Sequence, residues 1–426
     1  MVVSGIGAVN EVGGAGSFSR LCGDVHIMRR KMKKEIFLMR IHRVERGESV
    51  FGIARRYGVS PGGIIEVNGL ENPDALAVGQ ELLVLTPRRA YTARSGDTVS
   101  GVARRFGMKK EDIYAANPSL LSEDRLYEGQ MLALGYGDAR LGMAASCGYL
   151  FSGCSEEALR RGLPYLTYLA VAAVALRGGE VHRLFNGEWA VNIARRHGKV
   201  PILRVFLEGC GECYRGGDSF ADLLIGLARE GGYAGLALSV PEGDVEAQVY
   251  EEFLLNLRKR MIGSGLILFC EAVCDRDHSY ADLADGCVLS CAPPADDRAR
   301  RERRAFEDFA EEAESSKTFM DITSFAVAGG EYLDYMAAVR TAAKVGAEIR
   351  HNAGRGVCEY RYRGRGGEEV AVEFESLENI KAKLDLVGEL GYMGISFDVG
   401  RTPIAHLMAY SALFSGIGYT SIFGQI

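Results

Sequence analysis

Ten cysteines in a chain of 426 residues are the first candidates for chemistry, as thiolate nucleophiles, redox pairs or metal ligands. Cys210-Gly211-Glu212-Cys213 has the spacing of a ligand or redox pair. Cys270 and Cys274, like Cys287 and Cys291, fall four apart near predicted strand ends, with His278 and His351 as further donors. Four-residue spacing beside strands is a poor match to structural zinc motifs. The thiols therefore read as small buried or loop residues, and neither a metal nor a cofactor is expected. The apolar piece Ile36-Phe37-Leu38-Met39 is too short for a signal-peptide core of about 7–15 residues. Reduced thiols are thus expected rather than a disulfide framework.

The elements that must position any such chemistry begin with a duplication. Gly47-Glu48-Ser49-Val50-Phe51-Gly52-Ile53-Ala54-Arg55-Arg56-Tyr57-Gly58 returns as Gly96-Asp97-Thr98-Val99-Ser100-Gly101-Val102-Ala103-Arg104-Arg105-Phe106-Gly107. The register persists to Asn68 and Asn117, then slips by one residue before Gly79-Gln80 and Gly129-Gln130, as a loop insertion would make it. In each copy a short strand leads to a hydroxyl, Ser49 or Thr98, placed to N-cap a helix. The apolar positions Val50, Ile53, Ala54 and Tyr57 recur at helical spacing, and Gly58 or Gly107 ends the helix. A second helix, a polar loop and a closing strand follow. Strand–helix–helix–strand in so short a length leaves little core, which suits grafted binding better than catalysis.

These residues resemble a LysM domain, twice, over about residues 41–136. LysM domains bind N-acetylglucosamine-containing glycans such as peptidoglycan and chitin, in a shallow groove between the first strand–helix loop and the loop before the last strand. By position the resemblance implicates Gly47, Glu48, Ser49, Val50, Asn72, Pro73 and Asp74 in the first copy. In the second it implicates Gly96, Asp97, Thr98, Val99, Ser122, Asp124 and Leu126. Ser49 and Thr98 can also be read as helix caps and nothing more. The predicted boundaries are 39–87 and 90–137, preceded by a Gly-rich and then basic extension at 1–38 that is expected to be disordered or to reflect a misassigned start.

A net charge of −6 and the lack of a basic stripe with interleaved aromatics argue against a nucleic-acid partner. No stretch reaches the ~18 apolar residues of a membrane span. From residue 144 to 426 the pattern becomes alternating strands and helices. Candidate strands are Ser146–Phe151, Leu166–Val174, Val200–Leu207, Gly235–Val240, Gly265–Ala272, Gly286–Leu289, Thr318–Phe325 and Gly394–Phe397. Eight such units fit a closed (β/α)8 TIM barrel, so the fold class is α/β, a barrel preceded by two small βααβ modules. No Gly-x-Gly-x-x-Gly turn follows the first strand, as a dinucleotide fold would want.

Several stretches resemble glycoside hydrolase family 18, in particular the LysM-bearing spore-cortex N-acetylglucosaminidases. They include Gly148-Tyr149, Leu163 to Leu169, Asn192 to Pro201, Glu375 to Leu384 and Gly391 to Ser396. The resemblance implies peptidoglycan as partner, spore-coat or cortex proteins as further partners, and a spore or cell-wall location reached without a recognisable signal peptide. The family's catalytic strand carries Asp-Gly-x-x-x-Asp-x-Glu, in which the Glu protonates the glycosidic oxygen and the neighbouring Asp holds the acetamido group that attacks the anomeric carbon. Here the segment reads Gly232-Tyr233-Ala234-Gly235-Leu236-Ala237-Leu238-Ser239-Val240-Pro241. Ala234, Ser239 and Pro241 stand at the carboxylate positions. Ser290-Cys291-Ala292 lacks the family tyrosine at Ala292, and Phe397-Asp398 replaces an aromatic floor.

The expected function is therefore a glycan-binding protein with a degenerate, inactive barrel, its mouth more apolar and less acidic than in active relatives. The alternative is an active N-acetylglucosaminidase with a displaced acid, Glu242, helped by Glu271 or Asp398. A cysteine-based metal or redox centre at the same mouth is the third reading.

Overall fold

The first helix of each module starts on a side-chain cap. Ser49 accepts a hydrogen bond from Gly52 N and Thr98 from Gly101 N, while Gly58 and Gly107 end the helices in the left-handed conformation. This computed structural model describes residues 39–136, 141–208, 218–240, 247–274, 278–291 and 298–416. The extension at 1–38 and the candidates Cys210, Cys213, Pro241, Glu242 and Ala292 lie outside the described residues.

In the first module β1 (Met39–Arg43) pairs antiparallel with β2 (Glu81–Leu85), and in the second β3 (Ala90–Thr92) pairs with β4 (Met131–Ala133). The repeated Asn and Gln have one structural task each. Asn68 Nδ2 donates to Ile64 O and Leu83 O, and its Oδ1 accepts from Leu83 N; Asn117 makes the same three bonds to Ile113 and Ala133. Gln80 and Gln130 accept from Ala77 N and Tyr127 N. Buried amides that clamp helix to strand and loop to strand would be costly to leave unpaired, which accounts for their place in both copies.

The barrel is built from β5 (Gly142–Leu150), β6 (Tyr168–Arg177, with β7, Glu180–Arg183, folded back on it), β8 (Val200–Glu208), β9 (Gly235–Leu238), β10 (Ile267–Val273), β11 (Gly286–Ser290) and β12 (Thr318–Asp321). An antiparallel sheet then intervenes: β13 (Ala326–Ala328), β14 (Glu331–Tyr332), β15 (Arg350–Asn352), β16 (Val357–Arg363) and β17 (Glu369–Glu375), in the order β14-β13-β17-β16-β15. The last barrel strand, β18 (Gly394–Asp398), pairs parallel with both β12 and β5, and β5 pairs with β6, so the ring of eight parallel strands closes. A short strand, β19 (Phe414–Gly416), adds to β5. All eight predicted barrel strands are present. The inserted sheet was not foreseen. Its strands β16 and β17 are charged and alternating (Glu359, Arg361, Arg363; Glu369, Glu373), because one face is solvated, and only the buried barrel strands read as continuous apolar runs.

Neither module is a bead on a string. Met39, Val67, Leu83 and Leu85 of the first module, with Ala116 of the second, belong to the same buried apolar cluster as Leu163, Leu407 and Met408 of the barrel. Polar contacts add to it: Ile349 N donates to Val78 O (2.8 Å), Tyr165 Oη to Ala115 O (2.9 Å) and Ser119 N of the second module to Glu66 Oε1 of the first (2.8 Å). His406 is buried beside this junction, 1 % exposed, edge-on to Tyr335 at 5.1 Å with its Nδ1 2.6 Å from Ser324 Oγ.

Gly79 and Gly129 occupy equivalent left-handed positions (φ +82° and +84°), but a Cβ at Gly79 would collide with the Ile349 carbonyl while one at Gly129 meets nothing within 4 Å. Gly129→Ala should cost the ~1–2 kcal/mol of left-handed strain, and Gly79→Ala should cost that plus ~1–3 kcal/mol of overpacking. Equal losses in urea melts would refute the tight docking of the first module. Burial pushes the His406 imidazole down to about 3. Below its ordinary pKa the unfolded chain takes up a proton that the folded chain refuses, so stability should fall by a few kcal/mol between about pH 6.5 and 3. His406→Gln should flatten that part of the profile, and an unchanged slope would show that other groups cause it.

Candidate functional site

Two places can meet a ligand: the module grooves and the mouth of the barrel, where the carboxyl ends of the strands converge. In the first module Glu48 Oε2 accepts from Glu45 N (2.8 Å) and lies 2.7 Å from His42 Nε2, and its Oε1 is 2.9 Å from Arg56. Asp97 is braced alike, by Arg94 N, Tyr91 Oη and Arg105. The carboxyl groups thus brace the turn that contains Gly47 or Gly96. The Tyr91 hydroxyl, the Arg94 amide and Arg105 together hold the Asp97 carboxyl below its usual range, against a small effect of burial.

The remaining candidates divide between surface and interior. Gly47, Ser49, Asn72 and Asp74 are exposed, with Pro73 half-buried beside them; Asn72 Oδ1 accepts from Asp74 N (3.2 Å). Val50 and Val99 are core residues, and Leu126 packs against the second module's core. Ser122 is buried, with its hydroxyl on Arg160 O of the barrel (3.0 Å). The two grooves also differ. In the second module the loops flanking it are bonded together: Val99 N donates to Asp124 O (3.0 Å), Ser100 N to Asp124 Oδ1 (2.6 Å), and Thr98 bridges to Arg125.

In the barrel, side chains alternate along each strand. Ala145, Cys147, Tyr149, Ile202, Ala237, Phe269, Val288 and Phe319 form one interior cluster. Two residues further toward the mouth, the same faces present Arg204, Ser239, Glu271 and Asp321, with Ser396 and Asp398 on β18. Among the described residues the mouth carries ionic and aromatic side chains.

Arg204 donates to both oxygens of Glu271, Nε to Oε1 at 2.5 Å and Nη2 to Oε2 at 2.8 Å. Its guanidinium carbon lies 4.0 Å from the Phe206 ring centre and 5.1 Å from that of Tyr149. Burial pulls the guanidinium pKa down, but the Glu271 carboxylate more than offsets this and the net shift is upward. The pair joins the third barrel strand to the fifth across β9, which carries Ala237, with Ser239 just past its end. The Ser239 hydroxyl accepts from Leu207 N (2.9 Å) and donates to Val240 O (3.2 Å). Ala234 N bonds Pro201 O at the start of β9.

Two further carboxyl groups face the mouth. Burial pushes Asp321 up, opposed by hydrogen bonds from Thr323 and Ser396. Asp398 is also raised by burial, opposed by the amides of Gly400 and Arg401. Sequence reasoning passed over Arg204 and Asp321. A lone arginine inside the apolar run Pro201–Leu207 was the available signal.

Several of the thiols are held protonated by their surroundings. Cys270 and Cys287 sit side by side on β10 and β11, and the Cys287 thiol is raised by its hydrogen bond with Cys270 and by burial. Burial also raises Cys147, Cys154 (to about 11) and Cys358.

The LysM domain sequence profile matches both modules. Residues 42–84 and 91–135 are LysM domains. The spore cortex-lytic enzyme SleL of Bacillus megaterium superposes with a TM-score of 0.68 at 21% identity, over 89% of this chain and 99% of that one. SleL of Bacillus cereus gives 0.67 and 22% over the same shares. A chitinase from Chromobacterium violaceum gives 0.56 and 18%, over 63% of this chain and 98% of its own. At these identities the likeness is one of fold, a closed parallel barrel behind LysM domains. No curated protein sequence matches the chain.

Arg204→Ala would strand the Glu271 carboxylate in a buried site, and the expected loss is about 3–5 kcal/mol. The double replacement Arg204→Met with Glu271→Leu should recover most of it. If denaturant melts show the single variant losing under about 1 kcal/mol, the pair is solvated and does not fill the mouth.

Proposed function

We propose that the protein binds N-acetylglucosamine-containing glycan, peptidoglycan in particular, at a spore or cell wall, and that its barrel (144–426) does not hydrolyse it. The LysM domains (39–87 and 90–137 in this reading) supply the binding. Their presence together with a chitinase-like barrel supports a glycan-binding or glycan-hydrolysing protein at the coarser level. No described helix is long and apolar enough to cross a membrane. Spore-coat or cortex proteins are further proposed partners.

One observation supports the reading of an inactive barrel: Arg204 and Glu271, on the strands either side of β9, are paired to each other, while β9 offers Ala237 and the Ser239 hydroxyl just past its end is spent on main chain. Substrate-assisted cleavage needs an acid at the leaving oxygen and a second carboxylate behind the acetamido group. Ser239 cannot be the second. Glu271 is neutralised by a bidentate arginine and is a poor helper for Glu242. A second reading, residual hydrolysis, is favoured by Asp321 and Asp398, two buried carboxyl groups at the mouth that burial raises above their ordinary values.

In the binding reading the open first groove, with Gly47, Ser49, Asn72, Pro73 and Asp74, and the bridged second groove, with Gly96, Thr98 and Asp124, contribute unequally. The whole chain should pellet with insoluble peptidoglycan. Hydrolysis of nitrophenyl N-acetylglucosaminide and of cortex peptidoglycan should stay at background, since positioned acid–base groups alone contribute about 10²–10⁴-fold. Robust turnover abolished by Glu242→Gln, or by Asp398→Asn, would replace the binding reading with the hydrolytic one.

A further inference from the structure

The duplication supplies its own control for an unusual cluster. On the paired strands of the second LysM domain Thr92 faces Met131; at the same place in the first domain Arg43 faces Glu81. Glu81 is not a requirement of the LysM fold, yet its side chain is only 2 % exposed. One of its oxygens accepts from Leu377 N at 2.7 Å. The other lies 3.6 Å from His351 Nε2 on β15, and that same nitrogen is 3.6 Å from Oε2 of Glu378, in the first turn of the Leu377–Leu390 helix. His351 is itself nine-tenths buried, and its Nε2 has no hydrogen-bond partner among the described residues. Its Nδ1 faces Arg43 Nη2 at 2.9 Å, and Arg43 also reaches Glu378 at 2.8 Å.

We propose that Glu81, His351 and Glu378 form a binding site for a divalent transition-metal ion of the zinc class, which staples the first LysM domain to the barrel and its inserted sheet. The three donor atoms lie within 4.8 Å of one another. An ion seated among atoms spaced as these are would be ~2.1–2.4 Å from each, close to zinc–nitrogen and zinc–oxygen bonds. One imidazole and two carboxylates suit a borderline ion better than calcium or magnesium, which take oxygen donors alone. A cavity of 390 Å³ lined by His351, Glu378, Arg303 and Ser376 adjoins the cluster and has room for water in the remaining coordination position.

The proton on the imidazole decides between two states. While Arg43 donates to Nδ1, the ring proton sits on Nε2 and is aimed between the two carboxylates. A metal on Nε2 moves that proton to Nδ1, where it can no longer accept from Arg43. The arginine is 45 % exposed and can swing into solvent. Arg43 is thus a competitor of the ion, a role that a plain salt-bridge cluster would not give it.

Titration of the full chain with cobalt(II), read by visible absorption, tests the site, because nitrogen and oxygen ligation lacks the thiolate charge-transfer bands that the cysteines would produce. One equivalent should bind without those bands and raise the melting temperature. H351Q should weaken binding at least about tenfold, as should E378Q, a half-exposed position whose change leaves folding intact. R43Q should bind several-fold tighter. The proposal is overturned if H351Q and E378Q bind as the wild type does, if only thiolate bands appear, or if R43Q is unchanged or weaker.

Discussion

The apolar cluster that runs from Met39, Leu83 and Leu85 through Ala116 into Leu163, Leu407 and Met408 ties the amino-terminal domains to the barrel, and the module grooves and the Glu81–His351–Glu378 cluster inherit their positions from that contact. A LysM domain has too few residues to bury much surface alone. Here the closing strand of the first domain, with Leu82 to Leu85 all buried, is covered on one side by its own helices and on the other by the barrel. The grooves are thereby presented at fixed places on one body, and not on a free tether.

Docking breaks the symmetry that duplication created. Both copies keep the Asn clamp, the Gln clamp, the hydroxyl cap and the braced acid, because these satisfy main-chain polar groups that every copy shares. They diverge where they touch something different. Gly79 meets the Ile349 carbonyl while Gly129 faces open space, Glu81 meets His351 and Glu378 where Met131 is 60 % exposed, and Ser122 rests on Arg160. The second groove is further altered by Asp124, which bonds across to Val99 and Ser100.

The mouth of the barrel shows the same economy of burial. A charge placed inside must be paired, so a lone arginine on the third strand required a carboxylate within reach, and Glu271 on the fifth provides it with two parallel bonds against three aromatic rings. That arrangement places ionic and aromatic groups beside β9, a pairing that the substitutions on β9 alone could not indicate.

The sequence by itself determined what depends on local order. The eight barrel strands were legible because strands buried on both faces must be continuously apolar, and the LysM pair was legible because its caps and clamps recur in fixed order. The inserted sheet escaped, since short charged strands with one wet face resemble loops. Among site residues, sequence placed Ser49, Thr98, Asn72 and Asp74 on loops but could not tell that Glu48 and Asp97 brace their own turns. His351 was noticed only beside cysteines it does not meet. Its partners, Glu81 and Glu378, lie far from it along the chain on other elements, as Glu271 does from Arg204. Only the closing of the ring and the docking of the first domain bring such pairs within ion-pair range, because Coulombic and hydrogen-bonding energies depend on distance in space and leave no periodic trace in the chain.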